Sequence, residues 1–283
     1  MKIISWNTQW FKGLDGVVDI SRVVAQAREM ADFDALCLQE VAVNYGELSG
    51  GAQADQPAVL ATLLPGFQVF FSPAIDELSA DGTCRQRFGN LIATRLPVRM
   101  VQHVPLPYPS FPSDEPVLSM QRICAICTVQ AEWGPVRLMT SHLEYYSQAI
   151  RLAQAEALRD LHVQATALAG HPPRELAGTP YQTKPHTVDA ILCGDFNFAH
   201  DSVEHAAVVA TGSGNDWRNA WDHLHPGQRP PATFRLFDRT YGPEPVGCDF
   251  FFVSESVIHR VRNLVVDQQT RASDHQPVLL EIG

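Results

Sequence analysis

An α/β fold with mixed sheets is what this sequence predicts, and three observations carry the prediction. The chain opens with two apolar runs, 2–6 and 34–40, separated by a segment whose apolar residues recur at helical spacing. In mid-chain two strand-like runs, 120–132 and 135–141, are joined by Trp133-Gly134, a compact hairpin turn, so the sheets are not wholly parallel. Residues 147–168 then place Ile150, Ala153, Ala157, Leu158, Leu161, Ala165 and Leu168 on one helical face, with Gly170 as the stop.

Taken in order, residues 2–6 read as a first strand ending at Asn7, and a loop over 8–16 carries Trp10, Phe11 and Lys12. Asp19 is placed to cap a helix in which Ile20, Val23, Val24, Ala27 and Met30 share a face and which ends near Asp32. Residues 34–40 form a buried strand ending in a carboxylate, Glu40. In open α/β sheets such strand ends are where ligands bind. Residues 43–83 are rich in Gly, Ala and Pro and read as less regular, with a short helix over 57–64. Strands follow at 68–71, 88–94 and 98–104, ahead of the hairpin. After the long helix comes a Pro-rich surface insertion, 171–187. The run Ile191-Leu192-Cys193-Gly194-Asp195-Phe196-Asn197 is a buried strand, and a period of two aims Asp195 and Asn197 the same way. Taken alone, that pair suits a hard cation and its water, or equally a turn that satisfies itself. A helix over 202–211, a long loop over 229–247, and strands at 248–254, 263–267 and 277–282 complete the chain. Neither an internal repeat nor a disordered linker interrupts it, so residues 1–283 are expected to form one domain.

Composition narrows the partners. The chain is 45% hydrophobic and 18% charged, as expected of a soluble globular protein with a sizeable core. A formal net charge of -10 argues against wholesale coating of a nucleic-acid backbone or an anionic membrane. It does not exclude a phosphate substrate, because divalent ions on a carboxylate cluster reverse the local charge where phosphate approaches. No signal peptide or membrane span is visible, and the expectation is a cytoplasmic monomer. The six cysteines lie mostly in apolar runs and read as reduced core thiols. Cys124 and Cys127, three apart on a strand, point to opposite faces and make no zinc site.

Polar residues punctuate the apolar strands: Asn7, Glu40, His142, Asp195, Asn197, Asp249, Asp274 and His275. Each has a plain explanation on its own. His142 alone reads as a core histidine, Asp249 as an ion-pair partner, Glu40 as a cap, and Asp274-His275 as part of a turn. Together they are harder to dismiss, because buried carboxylates are costly without a cation or a hydrogen-bonding partner.

The set Ser5-Trp6-Asn7, Leu38-Gln39-Glu40-Val41, Thr140-Ser141-His142-Leu143-Glu144, Gly194-Asp195-Phe196-Asn197, Cys248-Asp249-Phe250 and Ser273-Asp274-His275 resembles the endonuclease/exonuclease/phosphatase superfamily. That group includes pancreatic-type deoxyribonuclease, apurinic endonucleases, neutral sphingomyelinases, inositol polyphosphate phosphatases, deadenylases and 5′-tyrosyl-DNA phosphodiesterases. The resemblance spans the chain and implies a four-layer αββα sandwich, two mixed sheets face to face with helices outside. It further implies Glu40 as the principal divalent-metal ligand, with Asn7 and Asp274 completing or bordering its shell. Asp195 resembles the group that orients and deprotonates the attacking water, and Asn197 the group that holds that water or a phosphate oxygen. His275 resembles the imidazole on the scissile phosphate and Asp249 the carboxylate that fixes its tautomer. His142 resembles the second histidine of the deoxyribonuclease and sphingomyelinase branches. Two features separate the chain from particular branches. Deoxyribonucleases carry a supporting Glu where this chain has Gln86, and apurinic endonucleases usually carry a Tyr where this chain has His142. The run around His142 and the helix after it look closer to the 5′-tyrosyl-DNA phosphodiesterase branch and to uncharacterised bacterial members of the superfamily.

The chemistry agrees with the resemblance. Attack on a phosphodiester needs an activated water, neutralised non-bridging oxygens and help for the leaving oxygen. Oxygen ligands favour Mg²⁺ or Mn²⁺ over zinc. Loops at 8–16, 43–83, 145–146 and 229–247 are placed to set selectivity. Within them Trp10, Phe11, Tyr145, Tyr146 and Phe234 are candidates to stack a base or cover an apolar headgroup, and Arg235 and Arg239 to meet phosphates, though loop anchoring explains at least half of the aromatics. Arg87, Arg122 and Arg151 read as structural ion-pair partners. The expected function is hydrolysis of a phosphodiester, with nucleic acid as substrate. Two alternatives stand beside it: hydrolysis of a small phosphate ester or lipid headgroup, and non-catalytic binding on the same fold.

Overall fold

The computed structural model describes residues 1–110, 116–212 and 214–283, the side chain of Gln53 excepted. Burial dictates its layering. Strands β1 (Lys2–Asn7), β2 (Ala35–Tyr45), β3 (Ala52–Asp55), β4 (Gln68–Leu78) and β5 (Arg85–Thr94) form one sheet with β12 (Val261–Val266) and β13 (Val278–Ile282). Its order is β12-β13-β1-β2-β5-β4, with β3 on the end of β2. The second sheet runs β10-β11-β9-β8-β7-β6, built from β6 (Val98–Pro105), β7 (Ile123–Ala131), β8 (Gly134–His142), β9 (Ala190–Asp195), β10 (Trp217–Asn219) and β11 (Asp249–Ser254). Each sheet contains one parallel pair, β1 with β2 and β8 with β9, among antiparallel neighbours.

Residues with opposite side-chain parity fill opposite faces. Ile3, Cys37, Ile92, Cys127, Leu138, Ile191, Cys193 and Phe251 meet between the sheets. On the outer face of the first sheet, Ile4, Trp6, Leu36 and Leu38 pack on α1 (Ile20–Met30) and α2 (Gln56–Leu63). On the outer face of the second, Cys124, Met139, Leu192, Phe250 and Phe252 pack under α3 (Gln148–Gly170) and α4 (Val203–Val208). The result is the expected four-layer sandwich, with α5 (Ala220–Leu224) closing one edge against β11 and β12. Burying each large apolar side chain stabilises the sandwich by roughly 1.5–3 kcal/mol. Cys124 and Cys127 do fall on opposite faces, and all six cysteines are free.

Local signals behave as their chemistry requires. Asp19 caps α1 by accepting from the Arg22 N–H at 3.0 Å, and Ser147 caps α3 by accepting from the Ile150 N–H. Gly194 has φ +142, and a Cβ there would collide with the Ser141 carbonyl on the adjacent parallel strand, so only glycine lets β8 and β9 close.

Several elements differ from the expected ones. The strand at 34–40 does not end at Glu40 but continues to Tyr45, because a β-bulge between Leu38 and Val41 absorbs Glu40 at φ +59. Segment 43–83 is more regular than its composition suggests, with β3 present and β4 running to Leu78. The helix expected over 202–211 is only Val203–Val208. The short pair β10 and α5, three and five residues long, carries too little periodicity to be seen in sequence. Among the described residues no helix is long and apolar enough to cross a membrane.

Candidate active site

The site lies on one edge of the sandwich, where elements from both sheets converge. Asp195 ends β9 and sits between two partners fixed by sheet register: His142 opposite it on parallel β8 and Asp249 opposite it on antiparallel β11. Asn7 ends β1, and the bulge in β2 swings Glu40 to the same edge. The loop before β13 adds Asp274 and His275, tied down by Ser273 Oγ donating to the Asn7 carbonyl at 2.8 Å and by Trp6 Nε1 donating to the His275 carbonyl at 2.9 Å. Beneath the edge, Gln39 Nε2 donates to Thr140 Oγ1 at 2.8 Å and pins the two sheets together.

Asp195 Oδ2 is the focus. Asn7 Nδ2 donates to it at 2.9 Å, and the Nε2 atoms of His142 and His275 each lie 3.5 Å away. Its other oxygen accepts from the Asn197 N–H at 3.0 Å. His275 Nδ1 faces Asp249 Oδ2 at 2.9 Å, which turns Nε2 towards Asp195. Asn7 also donates to Glu40 Oε1 at 3.1 Å, while its side-chain Oδ1 accepts from the Gln9 N–H. In this arrangement Asn7 spaces two carboxylates and borders a metal shell more than it completes one.

Electrostatics divide the groups into two kinds. Burial, then the nearby Asp274, push Glu40 up to about 7, and burial pushes Asp195 up to about 6 against the pull of His275. Burial raises Asp274 as well. These acids share one small space without enough compensating charge, and their donors are all oxygen. Glu40 and Asp274 therefore suit a hard divalent cation, which would relieve the strain that burial creates. The two imidazoles are shifted differently. Burial alone would lower His275, but Asp249 and Asp195 outweigh it and hold it well above the ordinary histidine range. Burial, followed by Arg122 and His275, holds His142 well below that range. Their surroundings thus push the two imidazoles in opposite directions.

A cavity of about 160 Å³ opens on these groups. It brings together Glu40, His142, Asp195, Asn197, Asp274 and His275, while Asp249 stands behind His275. Asn197 is aimed by its own turn, with φ +54 and Nδ2 donating to the Leu143 carbonyl at 2.9 Å, since β9 has already ended at Asp195. Of the expected substrate contacts, Trp10 and Tyr145 line the cavity. Arg235 does not; it lies in an adjoining hollow. Phe11 is fully buried core, and segment 43–83 contributes no lining residue. Gln86 donates to the Asn44 carbonyl at 3.0 Å, away from His142, whose Nδ1 instead faces Glu40 at 3.9 Å.

Gln9, Tyr241 and Arg122 line the cavity and escape sequence reasoning, whereas Tyr146 and Phe234 line it as stacking candidates. Tyr241 and Phe234 project from the 229–247 loop, and Phe234 stacks on His275 at 4.3 Å. Arg122 is only 7% exposed and faces Glu144 at 3.8 Å, yet its Nε and Nη1 have no hydrogen-bond partner. The only sequence signal is a cation at the mouth of an apolar strand, Arg122-Ile123-Cys124, where burial demands a partner. By contrast Arg87 pairs with Asp55 at 3.4 Å and Arg151 with Glu204 at 3.1 Å, as structural cations do.

The profile of the Endonuclease/Exonuclease/phosphatase family matches residues 4–275. Among solved structures, an endonuclease/exonuclease/phosphatase from Beutenbergia cavernae superimposes with a TM-score of 0.66 at 23% identity, covering 99% of this chain and 70% of that one. A mannosyl-6-phosphatase of Bacteroides thetaiotaomicron gives 0.65 at 19% identity, covering 100% and 99%. TDP2 of D. rerio, complexed with a single-strand DNA product, gives 0.64 at 17% identity, covering 99% and 97%. No curated protein matches by sequence.

Proposed function

Because this chain belongs to the endonuclease/exonuclease/phosphatase family and so to the phosphoric ester hydrolases, we propose that it is a divalent-metal-dependent phosphodiesterase acting on nucleic acid. The observation that carries the reading is the convergence on Asp195 Oδ2 of Asn7 and two histidines, beside Glu40 and Asp274.

In this reading the substrate phosphorus sits in the cavity with a water between it and Asp195. Asp195 takes the water's proton as the new P–O bond forms. His275, held cationic by Asp249, donates to a non-bridging oxygen, and the unpartnered nitrogens of Arg122 take another. Neutral His142 serves as an acceptor that orients the water, not as the resting proton donor. Asn197 bounds the phosphate side. When bound at Glu40 and Asp274, Mg²⁺ or Mn²⁺ supplies charge neutralisation at the phosphoryl oxygens. The P–O bond to the leaving group then breaks, and that oxygen leaves with a proton from His275 or solvent.

Nucleic acid is favoured by the cavity's rim, where Trp10, Tyr145, Tyr146 and Tyr241 supply rings on which a base can stack. Tyr146 and Tyr241 are 48% and 44% exposed, ready for a ligand. The small cavity supports a second reading, a compact phosphate ester such as a sugar phosphate. A panel of single- and double-stranded DNA, RNA, a 5′-phosphotyrosyl oligonucleotide, bis-p-nitrophenyl phosphate and mannose 6-phosphate, each with Mg²⁺, Mn²⁺ or EDTA, separates the two. Metal-dependent polynucleotide cleavage is expected, reduced roughly 10³-fold or more in folded Glu40→Gln and Asp195→Asn. Turnover of the sugar phosphate alone would replace the nucleic-acid reading with the second one, and native rates in either variant would sink the site assignment.

A further inference from the structure

A second hollow of about 300 Å³ adjoins the catalytic cavity, and the two share Tyr145, Asn197 and Phe234. Its charges are unequally paired. Arg151 and Glu204 face each other at 3.1 Å and cancel. Arg235 has no carboxylate in ion-pair range among the described residues, and its Nε is buried without a partner.

Arg235 is nevertheless held in place. Its Nη1 donates to the Tyr241 carbonyl at 3.1 Å, and its guanidinium lies 5.5 Å from the centre of the Phe234 ring. A side chain at Gly242 would collide with that guanidinium, so glycine is what makes room for it. The backbone at Arg235 adopts φ +58, which a non-glycine residue rarely holds without a reason. The same Phe234 ring stacks on His275 at 4.3 Å with the planes 15° apart. A single ring therefore separates an uncompensated guanidinium from the imidazole of the catalytic cavity. A pre-positioned arginine with free donors is suited to the planar, paired hydrogen bonds of a phosphate.

We propose that this hollow is a subsite for a second phosphate of the substrate, one sugar unit away from the scissile phosphate, with Arg235 as its anion-binding residue. The inference rests on the phosphodiesterase reading for the chemistry at the first phosphate. It narrows the substrate to those with two phosphates flanking a sugar, as in a polynucleotide or a bisphosphate, over esters carrying one.

Equilibrium binding tests this without turnover. With Mg²⁺ present, the wild type is expected to bind thymidine 3′,5′-bisphosphate about tenfold more tightly than thymidine 5′-monophosphate. Arg235→Ala is expected to remove that preference, and Arg235→Lys to restore part of it. A preference absent from the wild type, or surviving in Arg235→Ala, overturns the proposal. So does an equal loss of both ligands in Arg235→Ala, which would make Arg235 a mere prop for Phe234. Glucose 1,6-bisphosphate distinguishes the sources: binding equal to that of the nucleotide supports the subsite for sugar bisphosphates generally, and weaker binding supports it for nucleotides. A protein that shows the preference but cleaves no diester upholds the subsite and defeats the phosphodiesterase reading, so the two failures are separable.

Discussion

Arg122 and Asp195 show how differently two residues of one site can be read. Asp195 announces itself in sequence because it interrupts an apolar run, as do Asn7, His142 and Asp249; a strand boundary is a visible place. Arg122 does not, because what singles it out is the missing partner on two of its nitrogens, and a missing partner exists only in three dimensions. Its removal should matter. Arg122→Ala is expected to lower kcat/KM by about 10²-fold, in the range for loss of one charge-stabilising donor, with Arg122→Lys between the two since it keeps charge but loses the fork. Steady-state kinetics on bis-p-nitrophenyl phosphate reads this directly. An unchanged Arg122→Ala would return that residue to the structural role its sequence suggests.

Elements with strong internal periodicity were legible as elements: α1 and β9 stand where their signals place them, whereas α3 buries Ile150, Gln154, Ala155, Leu158 and His162, leaves Leu168 exposed and runs through Gly170. The bulge in β2 was not, because nothing around Gln39-Glu40-Val41 separates a strand that ends from one that buckles and continues. Two predictions belong at this scale. Gly194→Ala would push a methyl group into the Ser141 carbonyl and should destabilise the β8–β9 pairing by about 1–3 kcal/mol or more, measured by urea unfolding. The second concerns how α3 and α4 are attached. His162 on α3 accepts from Arg137 at 2.7 Å through Nδ1 and donates to the Asn215 carbonyl at 2.7 Å through Nε2, and it is fully covered. Burial, then Arg137, bring its pKa down to about 4, and burial with His200 does the same for His205 on α4. Both are neutral when folded and take up a proton near 6.5 when unfolded. Their stabilising contribution is therefore complete above pH 6.5 and is lost as the pH falls towards 4, by something on the order of 3 kcal/mol each. Unfolding free energies across that window should fall with acid, and less steeply in His162→Gln. An identical slope in that variant would contradict the assignment.

For the molecule as a whole, the order of motifs along the chain was readable, but the pairing of strands into two sheets was not. Alternating hydrophobicity says which face a strand buries and nothing about its neighbour; the resemblance, not the pattern, suggested the sandwich. The assembled molecule gathers Glu40, Asp195 and Asp274 into one place, an arrangement that opposes folding when no cation is bound. In EDTA near pH 8, Glu40→Gln should therefore melt about 2–8 °C above the wild type while lacking activity, the trade of stability for function expected of a charged site. A lower melting temperature would mean that the Asn7 hydrogen bond to Glu40 outweighs the repulsion. The gathering has a consequence in time as well as in energy. Asn7 lies near the start of the chain and His275 near its end, and Ser273 bonds the two segments together. A ribosome releases the chain from its N-terminal side at roughly 5–20 residues per second, so Asn7 waits many seconds for its partners. Until residues 273–275 emerge, no partly made copy holds both His275 and Asp195, and translation itself sets the moment at which the site can assemble.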